Sequence, residues 1–471
     1  MEAKWIWYQD NFLDDDYAEF VLDFNANSLK HFIKISADSN YAIYLNNKYV
    51  NASQYACFPT NPVYDVVKLN TKIGINQLKI IVYYVGVSTF STYFVDKPGL
   101  YFEIKDENDN VVAISNTNIK SAQNKTFISQ NKKIITPQLG YKFFYDANNE
   151  NIKLDYKNSV IVNKSYNLTK RENKPLSLFP KIVGKDTNIN TNKRHILVDL
   201  LKENTGFIYL DFESALKSNI LVCFGEHILD NKVRQIIGNR DFSFNYISKP
   251  GRNKFFSPLR RFGCRYIELF SDKDIKINEV SLIPTIYPFR LKNYKIDNDL
   301  RQKIYDTCVY TLICCYHEHY EDCPWREQSF YSLDSRNQIL AGYFAFYNKE
   351  QVRSAIKLML QDNRKDNLLS ICYPSSLDLT IPSFSLHFFT TMYEYYKYTK
   401  DKELLNQSYD RLYRLINAFI DNIHDGLLYN FEGSSYWNFY EWRDGLDYHN
   451  AKCDLILNCL FIIALNNFIK I

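Results

Sequence analysis

No run in this sequence approaches the roughly 18 apolar residues that a membrane-spanning helix needs. The longest candidate, near the C-terminus, is broken by Asp454, Asn458, Asn466 and Asn467. The opening residues, Met1-Glu2-Ala3-Lys4-Trp5-Ile6-Trp7, carry neither an apolar stretch nor a small-residue cleavage site, so no signal peptide is expected. A net charge of +4 is too small to argue for a nucleic-acid surface. The densest basic stretch, Arg252, Lys254, Arg260, Arg261 and Arg265, is interleaved with Phe255, Phe256, Phe262 and Tyr266 and reads as a solvated strand edge. There is no Gly-rich phosphate loop and no Gly-x-Ser-x-Gly elbow. Ten cysteines without a signal read as reduced thiols of a cytoplasmic protein. Three of them, Cys308, Cys314 and Cys459, fall inside helical patterns, where they pack as small hydrophobes. The cluster Cys314, Cys315, His317, His319 and Cys323 lacks metal-site spacing, because residues two apart on a helix do not share a face. No metal and no cofactor is expected.

What is present is a globular composition, 46% hydrophobic and 23% charged over 471 residues, long enough for two to four domains. Aromatic content of 16%, from 38 Tyr and 33 Phe, suits carbohydrate-binding faces and aromatic-rich β-domains equally. Residues 1–125 read as β. Phe20 to Phe24, His31 to Ile35, Tyr41 to Leu45 and Leu78 to Val87 are short strand patterns, and Asn46-Asn47 is a turn signal. The string from Ile35 to Asn47, with Gly74 to Leu78 downstream, resembles the galactose-binding-like β-sandwiches appended to many glycosidases. Residues 126–190 are Asn- and Lys-rich and read as irregular linker. The β pattern returns over 191–290. There Val198-Asp199-Leu200, Thr205 to Ile208 and Phe262 to Tyr266 resemble the concanavalin-like domain that precedes the barrel of bacterial α-L-rhamnosidases.

After Pro288 the period becomes helical. Asp297 or Asn298 can cap a helix whose Leu300, Ile304, Cys308 and Leu312 form one apolar face. Further helices are expected at about 335–347, 349–361, 383–399, 402–424 and 449–470, with Gly426 as a C-terminal stop. The fold class is thus multidomain β plus α: jelly-roll sandwiches followed by a helical domain over 291–471.

One loop concentrates the chemistry. Asp322, Glu327 and Asp334, with Arg326 and the aromatics Trp325, Phe330 and Tyr331, fall within thirteen positions, and Pro324 disfavours helix there. Glycoside hydrolysis uses one carboxyl group as acid and another as base or nucleophile. Close like charges raise the pKa of at least one of them. From spacing alone the same residues also read as a solvated acidic loop.

The run Asp322-Cys-Pro-Trp-Arg-Glu-Gln-Ser-Phe-Tyr-Ser-Leu-Asp334, followed by Ser335-Arg-Asn-Gln338, closely resembles the signature of bacterial α-L-rhamnosidases, inverting glycosidases with an (α/α)6 six-hairpin barrel. The resemblance implies that Glu327 is the general acid and that Asp322, Asp334 and Arg326 hold the sugar. Trp325 would wall the pocket. Tyr436 to Asp444 resembles, more loosely, a Trp-containing sugar-lining loop, which makes Trp437 and Trp442 candidate contacts. Tyr440-Glu441-Trp442 replaces the Gly-Asp-Trp of many relatives, so no role is carried to Glu441 or Asp444. The family uses no catalytic metal. Its general base lies in the second half of the barrel, beyond Ile471, and only six of twelve helices are expected here. The chain is therefore read as a fragment or truncated product, with rhamnosyl glycosides as partners. A non-catalytic glycan-binding protein and a six-hairpin glycosidase for another sugar remain open.

Overall fold

The computed structural model describes residues 2–53, 57–186, 193–448 and 451–471. Strands Asp16–Ala26 and Gly74–Tyr84 pair antiparallel along their full length, from Asp16 opposite Tyr84 to Ala26 opposite Gly74. Successive side chains point to opposite faces, and here both faces are apolar. Ala18, Phe20, Ile80 and Val82 turn into the core of the first sandwich, against a seven-stranded partner sheet. Tyr17, Ile81 and Tyr83 turn outward into the core of the second β-domain. The two β-domains are therefore fused face to face through this pair of strands. Asn46 and Asn47, at φ of 50° and 63°, make the tight hairpin into Lys48–Ser53, the left-handed pair that a two-residue β-turn favours.

The second β-domain is built on one long strand, His195–Ser214. Its register breaks between Asp199 and Asn204, where Leu201 adopts φ of 72°. It pairs with Phe262–Ser271 on both sides of the break, as far as Gly206, and from Gly206 onward with Ile275–Ile286 and then also Gly251–Phe256. A bulge of this kind lets one strand serve two parts of a curved sheet.

Residues 126–186 are more than the irregular linker that composition suggests. Phe144–Asp146 adds in parallel to Ser243–Ile247, and Ser177–Leu178 and Ile182–Val183 pair with Ile275–Ile286. Lys157–Asn158, Val160–Ile161 and Thr169–Lys170 pair with strands of the first sandwich. Two-residue strands are too short to show an alternating pattern.

Six helices follow among the described residues: α1 Asp299–Cys314, α2 Ser332–Ala345, α3 Glu350–Leu360, α4 Pro382–Thr399, α5 Lys402–Ile420 and α6 Leu455–Ile469. Asn298 caps α1 by accepting from the Arg301 N–H, and Asp401 and Asp454 cap α5 and α6 in the same way. Helices α2, α4 and α6 lie side by side, with α3 against α5 outside them. Two expectations are corrected. Helix α5 ends at Ile420, and Gly426 instead turns a small hairpin between Ile423–His424 and Leu427–Leu428. The last helix starts at Leu455 rather than 449, and residues 449 and 450 lie outside the described residues. Leu300 and Ile304 of α1 are 67% and 55% exposed, as are apolar residues of α6 such as Ile462. Among the described residues no helix is long and apolar enough to cross a membrane.

The β and α parts meet through buried polar contacts. Arg261, at the start of Phe262–Ser271, donates from Nη1 to both Glu321 oxygens at 3.0 and 2.9 Å and from Nη2 to the Cys314 carbonyl at 2.8 Å. Both side chains are essentially inaccessible. Burial alone would push the Glu321 carboxyl up, but Arg261 and His317 more than offset it and hold it at about 2. Glu318 accepts from Ser53 of the first sandwich at 2.5 Å, and its carbonyl accepts from Asn173 at 2.7 Å.

Arg261→Met strands a buried carboxylate and is expected to cost about 3–5 kcal/mol. Arg261→Met with Glu321→Leu removes both charges and is expected to cost less. Urea melts of the single and double variants make the comparison, and equal losses would mean that charge burial is not the cause.

Candidate active site

The loop from Asp322 to Tyr331 is closed on itself. The Asp322 N–H donates to the Ser329 carbonyl at 2.9 Å, and Asp322 Oδ1 accepts the Ser329 N–H at 2.9 Å. Gln328 sits in the left-handed region at φ of 51° and donates to the Pro324 carbonyl at 2.8 Å. The hydroxyls of Ser329 and Ser91 hydrogen-bond, tying the loop to the first sandwich.

The loop's floor is the second β-domain. A Cβ on Gly263 would lie 2.2 Å from the Pro324 carbonyl oxygen, so the two backbones touch only because residue 263 is glycine. Trp325, expected to line the pocket, is instead 2% exposed. Its ring packs against Phe242 at 4.5 Å and His227 at 5.6 Å, over Gly225. It is an anchor sunk into the β core, and its apolar area outweighs any gain from facing solvent. Phe330 is also buried, stacked on His319 and edge-on to Tyr373.

With Trp325 turned down, the carboxylates face the other way. Glu327 Oε2 accepts from the Tyr331 hydroxyl at 2.9 Å, and its Oε1 faces Arg240 Nη2 at 3.4 Å. Burial raises the Asp322 carboxyl, the charge of Glu327 raises it further, and donors from Cys323 and Ser329 only partly offset this, leaving it at about 7. Asp334, in the first turn of α2, is raised for the same two reasons. Burial and then Glu327 also lift the Tyr331 hydroxyl. Asp322, Glu327, Tyr331 and Asp334 thus form one coupled cluster. Arg326 is exposed, and its charge opposes the burial that raises Glu226 of the second β-domain.

Across the cluster, Tyr331 is bridged to Cys372 and shares an apolar patch with Phe384, Phe439 and Trp437. The Trp437 indole donates to the Asp447 carbonyl at 2.6 Å, and its ring meets Phe439 at 4.9 Å and Trp442 at 5.6 Å. Trp442 is 75% exposed. Glu441 accepts from the Trp442 N–H at 2.7 Å, a local turn contact. His317 and His319 lie in a tight turn bridged by Tyr316 and Tyr320, not on a helix, and their rings are 4.4 Å apart. They serve the buried network: His317 pairs with Glu321, and His319 contacts the Tyr320 carbonyl at 2.7 Å. Among the described residues no group of three or more His, Cys, Asp or Glu is placed to hold a metal. The site residue that sequence reasoning missed is Arg240, which lies 87 positions before Glu327 on a different domain.

Such a cluster sets a carboxyl group raised toward neutral pH, Asp322, close to Glu327, whose two oxygens each have a donor, and clustered carboxyl groups are what acid–base chemistry needs. Asp322 is raised on folding, so its contribution is fully present below pH about 4 and lost as pH rises through about 7. Asp322→Asn is expected to abolish that slope. Melting midpoints of parent and variant should converge at pH 4 and separate at pH 8, with the variant higher. Gly263→Ala forces the loop off its floor and is expected to cost about 1–3 kcal/mol. Its tryptophan emission should shift to the red as Trp325 gains water; unchanged emission and stability would refute the close-contact argument.

Residues 291–471 match the model of the bacterial α-L-rhamnosidase six-hairpin glycosidase domain. No curated protein matches the chain by sequence. Among solved structures, the chain is similar to a GH78 family rhamnosidase of Bacillus sp. GL1, with a TM-score of 0.89 at 16% identity, over 99% of this chain and 74% of that one. It is also similar to the α-L-rhamnosidase of Aspergillus terreus, with a TM-score of 0.80 at 15% identity, covering 100% of this chain and 58% of that one. A third is the Streptomyces avermitilis α-L-rhamnosidase solved with L-rhamnose, with a TM-score of 0.78 at 12% identity, over 97% and 46%. The chain therefore spans about half the length of the latter two. These proteins thus share the fold of the chain, β-domains followed by a helical domain, and residues 291–471 are the part that matches the six-hairpin glycosidase domain.

Proposed function

We propose that this protein hydrolyses terminal α-L-rhamnosides with inversion. The observation that carries the reading is the coupled cluster of Asp322, Glu327 and Asp334 on one wall, inside the stretch that matches a rhamnosidase domain. A relative solved with L-rhamnose bound supports the choice of sugar. In this reading Glu327 gives its proton to the glycosidic oxygen as the bond to the anomeric carbon breaks. Asp322 and Asp334 accept hydrogen bonds from ring hydroxyls, and exposed Arg326 donates to them. Trp437 and Trp442 offer apolar faces. The carboxylate that activates water must act on the opposite face of the sugar, roughly 6.5–9.5 Å from the acid in an inverting pair. Asp322, Glu327 and Asp334 all belong to one segment, so we assign that base to the facing wall.

We take the domains as 1–125 and 191–290 for the β units and 291–471 for the catalytic unit, with 126–190 as the strap between them. Ten unpaired cysteines support work in a reducing compartment such as the cytoplasm.

A general acid matters most when the leaving group is a poor one. Glu327→Gln is expected to slow release of rhamnose from an alkyl rhamnoside by about 10²–10⁴-fold. The loss on a nitrophenyl rhamnoside should be much smaller. Equal rates for parent and variant on the alkyl substrate would sink the reading.

A further inference from the structure

A short hairpin of the second β-domain reaches the carboxylate cluster. Ile236–Ile237 pairs with Arg240–Asp241, and Gly238 at φ of 60° supports the tight turn between them. The hairpin is braced rather than free. Asp241 accepts from Lys142 Nζ at 2.7 Å and from the Ser243 hydroxyl at 2.6 Å, and Ile134–Thr136 packs alongside. This support places Arg240 Nη2 3.4 Å from Glu327 Oε1, with the two side chains only 24% and 18% exposed. The other oxygen, Oε2, accepts from Tyr331. Each carboxylate oxygen thus has its own donor, from two different domains, and turning the carboxyl group would break both contacts.

We propose that Arg240 is a positioning residue for Glu327, by which the second β-domain orients the acid and places a cation beside its carboxyl group; this rests on the acid role assigned above. The groups facing Glu327 come from four elements. Asp322 and Tyr331 belong to its own loop, Asp334 to α2, Cys372 to the segment after α3, and Arg240 to the hairpin. Two of these, Asp322 and Asp334, are carboxyl groups that carry like charge when ionised. Arg240 is the cation that opposes them. Its distance, longer than an ideal N–H···O bond, makes the interaction chiefly one of charge. Losing it therefore leaves Glu327 without one of its two restraints and among like charges.

The test follows the titration of Glu327 directly, by ¹³C NMR of the full chain carrying glutamate labelled at Cδ. The Glu327 signal is assigned by its absence in Glu327→Gln. Arg240→Ala is expected to raise the Glu327 midpoint by about one pH unit, the lower end of the effect of an adjacent charge for this partly exposed pair. Arg240→Lys should restore most of the shift. Arg240→Gln, which keeps the side-chain length, serves if the alanine variant does not fold. The basic limb of the kcat/KM profile on an alkyl rhamnoside should move up with the midpoint, and kcat should fall. A titration unchanged by loss of Arg240, while Tyr331→Phe does move it, would overturn the proposal. So would a shift that lysine leaves uncorrected. A midpoint that moves as expected in a protein that turns over no rhamnoside would support the positioning contact and overturn the hydrolase reading instead.

Discussion

The ion pair of Arg261 and Glu321 sets where everything else at the site can be. It joins a strand of the second β-domain to the segment that leaves α1, and it sits one residue before Asp322. A buried charge pair adds little net stability over a well-packed apolar one, but it is costly to misplace. The guanidinium also donates to the Cys314 carbonyl at the end of α1. These contacts therefore specify register: the helix end and the loop start are held against one strand. Gly263 and Trp325 continue the same register two and four residues along, one by admitting the loop backbone and the other by filling a pocket over Gly225.

That register accounts for the electrostatics. Three carboxyl groups within one short segment would ordinarily splay into water. Here Trp325 pulls the loop's middle into the β core, so the flanking Asp322 and Glu327 are kept near Asp334 and partly out of solvent. Burial then raises Asp322 and Asp334, and each is raised further by Glu327. The fold loses some stability by this: the same burial that tunes the acids works against folding above neutral pH. Polar groups arranged against their own preference are common where chemistry is done.

The sequence exposed the parts of this arrangement that are local. Helix caps such as Asn298 and the acidic loop depend on neighbours a few residues apart, and each is found where the pattern places it. Features that depend on distant partners were out of reach. A motif shows that a Trp stands between Pro324 and Arg326 but not which way its ring turns, and that direction is decided by Phe242 and Gly225. The two-residue strands within 126–186 carry no period of their own, so only their partners define them. Leu300 and Ile304 form the apolar stripe that the spacing predicts on α1, yet they face away from the described core. Periodicity identifies a face without identifying what covers it.

The β-domains are consequently part of the site's construction rather than attachments to it. The first sandwich holds the loop through Ser91 and the neighbouring turn through Ser53. The second supplies the floor at Gly263, the socket for Trp325 and a cation beside Glu327. A glycan-binding module joined by a tether could be removed without disturbing the carboxylates. These two could not, because the groups that bury and orient the carboxylates belong to them. The acid cluster is a property of the junction between sheet and helix, and its chemistry depends on how firmly that junction is held.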